Sequence, residues 1–290
     1  MASSIRYRYA TVAGRRLFYR EAGSAGAPAI VLLHGFPASS HMFRDLIARL
    51  ADDYRVIAPD HLGFGYSDMP PVTEFDYTFD NLTEFTQALL DQLGLDRYAI
   101  YVQDYGAPIG WRLALSRPGS ISAIVTQNGN GYDEGFVEDF WKTVWDYQHE
   151  QTAETEAAIR TALDVDAVKW QYLTGAPDES LVSPDTWTLD AALLSRPGND
   201  EVQLKLFRDY ATNAPMYPAL HDYLRSSEVP VLAVWGDKDP IFGPEGARAF
   251  GRDAHDAEIH LLDGGHFLLE TAVDEVAALV KNFLHRIPRK

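Results

Sequence analysis

The residues with the clearest chemical potential are those from Tyr101 to Ala107, YVQDYGA. The apolar run 98–102 leads into them and the small residue Gly106 follows, which is typical of a strand that turns sharply into a helix. Such a turn exposes one side chain, here Asp104. A carboxylate is ionised at neutral pH and can displace a leaving group from saturated carbon, giving an ester. The alternative role for Asp104 is a helix cap.

Two later segments supply partners for such a nucleophile. In WGDKDP, which follows an apolar strand-like run, Asp239 rather than Asp237 has the expected spacing from Gly236. His266 stands in GGHF before the last helical segment. The order Asp104, Asp239, His266 is the order of nucleophile, acid and histidine in α/β hydrolases. No G-x-S-x-G pattern occurs, so a serine esterase of the usual kind is not expected.

A fourth motif, HGFP at 34–37, directly follows the apolar run AIVLL. A loop at this place can supply a backbone N–H that pairs with the N–H of the residue after the nucleophile. By position these donors are the N–H groups of Phe36 and Tyr105, which together predict an oxyanion hole. His34 precedes a Gly-x-Pro turn, and a structural role is expected for it.

The elements that must position these motifs alternate along the first and last parts of the chain. Strands are expected at 17–20, 29–33, 54–58, 98–102, 121–126, 230–235 and 258–262, and helices at 41–50, 80–94, 107–116, 244–251 and 267–285. This alternation predicts an α/β fold with a mostly parallel sheet covered by helices on both faces. Residues 131–219 are helical in character, and we expect them to form a cap domain inserted into a core domain of 1–130 and 220–290.

Composition limits the partners and the setting. The 290 residues carry 25 Lys and Arg against 42 Asp and Glu, a net charge of −17, so nucleic acid and anionic membranes would repel the chain. The absence of cysteine excludes disulfides, thiolate zinc sites and a Cys nucleophile. The first residues, MASSIRYRYA, lack the apolar centre of a secretion signal, and no apolar run is long enough for a membrane span. A cytoplasmic protein is therefore expected.

Together these motifs resemble the α/β-hydrolase superfamily, in the branch of epoxide hydrolases and haloalkane dehalogenases that use an aspartate nucleophile. The segment PDHLGFGYSD at 59–68 resembles the loop after the fourth strand in that branch. The resemblance implies the α/β-hydrolase fold with a helical cap, no cofactor and no metal. It also implies that the peptide bond between Phe36 and Pro37 is cis.

The two branches differ at a few positions. Tyr105 replaces the tryptophan, and Phe36 the asparagine or glutamate, with which dehalogenases usually hold halide, whereas HGFP is frequent in epoxide hydrolases. Epoxide hydrolases also use two cap tyrosines as donors to the ring oxygen. The resemblance implies Tyr210, in DYATN, as one donor and Tyr147, in WDYQ, as the other. A packing role is the alternative for Tyr147.

The resulting hypothesis is the hydrolysis of a small neutral epoxide to a diol. Asp104 forms an ester, and His266, oriented by Asp239, activates the water that cleaves it. One alternative is a haloalkane dehalogenase, in which Trp141 or Trp145 would bind halide. An ester or lactone hydrolase and a ligand-binding protein without turnover are further alternatives. The expected assembly is a monomer or a homodimer.

Overall fold

The computed structural model describes residues 4–288, which form an eight-stranded sheet and the helices around it. The strands are β1 (Arg6–Val12), β2 (Arg15–Ala22), β3 (Ala29–Leu33), β4 (Arg55–Pro59), β5 (Tyr98–Val102), β6 (Ile121–Gln127), β7 (Val231–Gly236) and β8 (Glu258–Leu262). The α-helices are α1 (Arg44–Leu50), α2 (Phe79–Gln92), α3 (Gly106–Ser116), α4 (Glu138–His149), α5 (Ala153–Arg160), α6 (Val165–Leu173), α7 (Pro184–Leu194), α8 (Asn199–Asp209), α9 (Tyr217–Ser227), α10 (Pro244–Asp253) and α11 (Leu269–His285).

The sheet is mostly parallel, as the sequence predicts. Its strand order is β1-β2-β4-β3-β5-β6-β7-β8, and only the pairs β1–β2 and β2–β4 are antiparallel. Strands β5 and β7 are buried along their whole length. Such continuous burial is expected of central strands that helices cover on both faces. The fold class predicted from the sequence is confirmed.

The order in which successive strands are added to the sheet changes direction at β3. Strand β4 lies on one side of β3, whereas β5, β6, β7 and β8 follow in order on the other side. Because parallel crossovers are right-handed, the connections on the two sides place their helices on opposite faces. The carboxyl ends of β3 and β5 therefore border a crevice of the kind in which open α/β sheets bind ligands. Leu33 pairs with Val102 at this edge, so the residues after them emerge side by side.

A run of helices separates β6 from β7. Within residues 4–288 no strand lies between Gln127 and Val231. Helix α4 packs on α5 and α8, and α6 packs on α7. The division into a core of 1–130 and 220–290 and a cap of 131–219 stays a prediction. No helix in the described part of the chain has the length and apolar character needed to cross a membrane.

Candidate active site

Asp104 lies on the tight turn between β5 and α3. Its φ is +48°, in the left-handed region that side-chain-bearing residues seldom adopt. A Cβ on Gly106 would lie 2.0 Å from the carbonyl oxygen of Leu33, so glycine lets the turn pass this close to β3. Asp104 is buried, and no side chain caps the start of α3. The carboxylate instead faces the loop that follows β3.

Both N–H groups that the sequence assigns to an oxyanion hole bind this carboxylate. Asp104 Oδ1 accepts hydrogen bonds from the backbone N–H groups of Phe36 and Tyr105, each with an N···O distance of 2.6 Å. The loop can approach because Gly35 has no side chain: a Cβ there would lie 2.2 Å from the Cβ of Asp104. The Phe36–Pro37 peptide bond is cis, as the resemblance implied. One carboxylate oxygen is thus held, and Oδ2 is left to react.

His266 lies between two carboxylates. Its Nδ1 is 2.8 Å from Asp239 Oδ2, and its Nε2 is 3.9 Å from Asp104 Oδ2. Asp239 also accepts hydrogen bonds from the backbone N–H of Ile241 and from the side-chain amide of Asn128, each at 2.7 Å. Because Asp239 acts as an acceptor toward all three groups, Nδ1 of His266 carries the proton and Nε2 presents a lone pair.

The acid and the histidine come from neighbouring strands, as their positions in the sequence suggested. Asp239 follows β7 and His266 follows β8, and these two strands are paired. Asp239 is buried, whereas its rival Asp237 is exposed. The structure therefore brings Asp104, Asp239 and His266 together and leaves Asp237 outside the group.

Burial and charge adjust both reacting groups. Burial raises the pKa of Asp104 to about 6, although His266 and the N–H groups of Phe36 and Tyr105 lower it. Burial lowers the pKa of His266, but the charge and hydrogen bond of Asp239 and the charge of Asp104 together raise it above its usual value. Asp104 is thus ionised at neutral pH. Loss of its charge would lower the pKa of His266 and so increase the fraction of this imidazole that is neutral and able to accept a proton.

Tyr210 contacts this group from the helical segment. Its ring centroid is 5.8 Å from that of Tyr105 and 4.6 Å from that of Trp141. Burial raises the pKa of Tyr210 well above its usual value, and the neighbouring Tyr217 and Asp104 raise it further. The phenol therefore stays protonated and can act as a hydrogen-bond or proton donor.

The structure does not bring Tyr147 to the group. Tyr147 is buried on α4, and among residues 4–288 no hydrogen bond or ring contact joins its side chain to Asp104, Tyr105 or Tyr210. Burial raises the pKa of its phenol, and the charged groups around that phenol lie on α5 and α8: Glu156, Arg208, Arg160 and Glu201. The side chain of α4 that contacts Tyr210 is Trp141. This geometry favours the packing role for Tyr147.

The two tryptophans considered as halide ligands are engaged elsewhere. The indole N–H of Trp141 donates to the carbonyl oxygen of Ile241 at 2.9 Å. Trp145 is 39% exposed, and its ring packs beside Phe136 and Trp141. Within residues 4–288, neither indole N–H donates a hydrogen bond to Asp104.

Two buried histidines, His34 and His61, hold the shape of the HGFP loop at 34–37. His34 Nε2 accepts a hydrogen bond from the backbone N–H of His61, and His61 Nε2 lies 3.0 Å from the carbonyl oxygen of His34. Burial lowers the pKa of His34 to about 4, so it stays neutral. The structural role expected for His34 agrees with these contacts. Within residues 4–288, no three His, Asp or Glu side chains are grouped so as to hold a metal ion.

The comparison with protein families decides the superfamily. A model described as the alpha/beta hydrolase fold matches residues 28–273. The chain belongs to the α/β-hydrolase fold family. An uncharacterized hydrolase of Saccharomyces cerevisiae, YNR064C, is 44% identical over 267 residues, which cover 91% of each chain.

More distant relatives of this α/β hydrolase carry several activities in their names. A cis-3-alkyl-4-alkyloxetan-2-one decarboxylase of Shewanella oneidensis is 28% identical and aligns over 93% of this chain and 86% of its own. A haloalkane dehalogenase of Mesorhizobium japonicum is also 28% identical, over 93% of this chain and 88% of its own. The solved structure of the epoxide hydrolase CorEH has a TM-score of 0.78 at 22% identity and covers 97% of this chain and 99% of that chain, which shows a shared fold.

Two residues of the hydrolase site escape the sequence-based prediction. Gln103 is fully buried, and its side-chain Nε2 lies 2.8 Å from Nε2 of His266. Asn128, with φ +49°, links Asp239 to the backbone N–H of Gly236. Gln103 directly precedes Asp104 in the V-Q-D-Y-G motif, and this position is the sequence signal that points to it. Asn128 directly follows β6, in a segment with no recognisable motif.

Proposed function

We propose that this α/β hydrolase opens small, neutral, strained oxygen rings through an ester on Asp104, and that epoxides are its first substrate class. The helical segment acts as a cap that supplies Tyr210 as the donor to the ring oxygen. Asp239 and His266 serve the second half of the reaction. The cysteine-free sequence supports a cytoplasmic setting.

In the first step Oδ2 of Asp104 attacks a ring carbon. The bond between that carbon and the ring oxygen breaks, an ester bond to Asp104 forms, and the ring oxygen takes the proton of the Tyr210 phenol. No base is needed, because the pKa of Asp104 is about 6 and the group is ionised at neutral pH. Formation of the ester removes the charge of Asp104, which lowers the pKa of His266 and prepares it for the next step.

In the second step Nε2 of His266 takes a proton from water, and the resulting hydroxide attacks the carbonyl carbon of the ester. Negative charge develops on Oδ1, where the N–H groups of Phe36 and Tyr105 each contribute about 3 kcal/mol. The bond from this carbon to the diol oxygen then breaks, and the diol takes the proton from His266. The proton left on the Asp104 carboxyl returns to the phenolate of Tyr210, so one water is consumed without net release of a proton.

One observation carries the choice of epoxides over haloalkanes. The phenol of Tyr210 is close enough to Asp104 for this carboxylate to raise its pKa, whereas the indole N–H of Trp141 is taken by the Ile241 carbonyl. Halide needs N–H donors as it leaves, and the ring oxygen of an epoxide needs a proton. The name of the Shewanella relative adds support, because an oxetan-2-one is also a neutral, strained oxygen ring. The dehalogenase named among the relatives keeps haloalkanes as the second candidate class.

Replacement of His266 by glutamine tests the nucleophile and the leaving group together. We expect H266Q to form the ester and fail to cleave it, so that the adduct accumulates and is seen by intact-mass spectrometry, with peptide mapping to Asp104. An epoxide adds its whole mass, because ring opening loses no atoms. A haloalkane adds only its alkyl group and releases free halide.

A control variant and the pH dependence of adduct formation make the H266Q experiment more specific. D104A should form no adduct in the H266Q background. The rate of adduct formation should fall with decreasing pH, with a midpoint above the value of about 6 in the wild type, because His266 lowers the pKa of Asp104 and is absent. Adducts from haloalkanes alone would favour the dehalogenase. No adduct from epoxides, haloalkanes or oxetan-2-ones, with ligand affinity retained, would favour a binding protein.

A further inference from the structure

A cavity of about 450 Å³ opens in the helical segment, among α4, α5 and α6. Its floor includes the buried side chains of Val144, Ile159 and Phe207. We call it the side pocket. Its volume lies within the range of roughly 300–1,000 Å³ that is usual for small-molecule sites.

We propose that the side pocket binds the unreactive apolar chain of the substrate while the strained ring lies at Asp104. This inference rests on the proposed function and adds a substrate class to it, namely neutral epoxides that carry a long alkyl or aryl group. The pocket thus accounts for chain-length preference, and the residues around Asp104 account for the chemistry.

The side pocket ends one side chain away from the nucleophile. Phe207, which lines it, packs edge-to-face on Phe36 with a centroid distance of 5.2 Å. The N–H of Phe36 in turn binds Asp104 Oδ1 at 2.6 Å. Pro240, another lining residue, is adjacent in the chain to Asp239. The pocket therefore includes a residue of the acid loop, and the side chain of Phe207 lies between the pocket and the loop of the oxyanion hole.

The chemistry of the lining favours an apolar, uncharged occupant. Its polar side chains are those of Asp139, Thr143 and Thr161, and among the described residues that line it there is no Lys, Arg or His. A carboxylate without a nearby cation repels an anionic ligand. The Trp170 ring at its edge is 42% exposed and stacks parallel to Phe140, with an interplanar angle of 2°. An apolar ligand that enters the side pocket would cover this exposed face of Trp170.

Two neighbouring alanines on α5 give a matched test. Ala158 lines the side pocket, whereas Ala157 does not, and both are exposed, so tryptophan at either position should leave the fold intact. The measured quantity is the ratio of kcat/KM for epoxyoctane to kcat/KM for epoxybutane. Each buried methylene is worth about fourfold in affinity, and epoxyoctane has four more methylenes than epoxybutane, so we expect a ratio of roughly 250 in the wild type. The ratio should fall about tenfold in A158W, through loss of a few methylene contacts, and stay unchanged in A157W.

The outcomes separate this inference from the proposed function. An equal ratio in wild type, A158W and A157W, with both epoxides hydrolysed, would overturn the pocket assignment and leave the epoxide chemistry standing. If neither epoxide reacts, the proposed function fails, and calorimetric binding of octanol tests the pocket alone: loss of binding in A158W but not in A157W supports it, and equal binding refutes it. Light scattering measures the oligomeric state of the three proteins. A dimer that dissociates only in A158W, while the ratio of the two kcat/KM values stays unchanged, would overturn the inference and assign the pocket to a second copy of the chain.

Discussion

The strand ends and the helical segment position their reactive side chains by different means. Phe36 and Asp104 follow strands β3 and β5, whose hydrogen-bonded register brings the Phe36 N–H within 2.6 Å of the carboxylate. Tyr210 instead depends on how rings pack, with Trp141 and Tyr105 as its neighbours. A backbone ladder fixes positions closely, whereas side-chain packing between helices allows more than one solution. In the proposed reaction, the ester chemistry thus rests on the sheet, and the choice of leaving group rests on the helices.

The largest expected effect comes from the sheet side of this comparison. In G35A the new Cβ would lie 2.2 Å from the Cβ of Asp104, so the loop must retreat and the Phe36 N–H must leave Oδ1. Because one oxyanion donor is worth about 10²–10³ in rate, we expect kcat to fall by about 10³. Epoxide turnover and thermal unfolding should both be measured.

Gly26 offers the control for G35A. A Cβ at Gly26 has nothing within 4 Å, so G26A should keep its activity and its unfolding temperature. Equal turnover in G35A and wild type would mean that the contact between Phe36 and Asp104 has no part in the reaction. The loop that follows β3 would then have no role in cleavage of the ester.

The next effect tests the helical side. Y210F removes the phenol proton that opens the ring, and we expect the rate of ester formation to fall by about 10², the lower range for loss of a general acid. Y147F should change that rate less than about twofold, because its phenol lies among charges of α5 and α8. Single-turnover adduct formation in the H266Q background measures both variants. A larger loss in Y147F than in Y210F would reverse this assignment and restore the first donor that the resemblance implied.

The sequence predicted the sheet side of the site well and the helical side only in part. Asp104, Asp239 and His266 each follow a strand in a short motif, so strand order alone brings them together. Tyr147 is the other candidate because it lies at a plausible distance along the chain, yet its phenol lies among charged groups of α5 and α8, since its direction depends on how α4 packs against these helices. A local sequence pattern does not predict how these helices pack on one another.

The edge of the sheet shows the same limit. Strand β1 escapes the sequence-based prediction because its side chains are largely exposed, so that its alternating arginines and tyrosines mark no buried face. Tyr9 lies opposite Phe18 of β2, and the two rings are 5.3 Å apart. Arg16 stacks over the ring of Tyr9 as well. These aromatic and cationic contacts lie across two strands, which a reading along one segment does not detect.

The smallest expected effect concerns Gln103, a positioning residue on the sheet side. The Nδ1–H of His266 donates a hydrogen bond to Asp239, so the Gln103 amide donates to the Nε2 lone pair and stabilises the neutral imidazole. The carboxylates of Asp239 and Asp104 act in the opposite direction and raise the pKa of His266. Q103L removes the amide, so that pKa should rise further. Since cleavage of the ester needs neutral His266, its rate falls as pH drops through that pKa, and in Q103L this fall should begin at a pH higher by about 0.5–1 unit. Single-turnover ester cleavage across pH measures the shift.

Q127L is the matched control, because the Gln127 amide donates to the His266 carbonyl and not to the ring, and it should leave the profile in place. A profile that moves equally in both variants would mean that the shift comes from loosened packing around the histidine, and the Gln103 amide would then have no separate influence on the base.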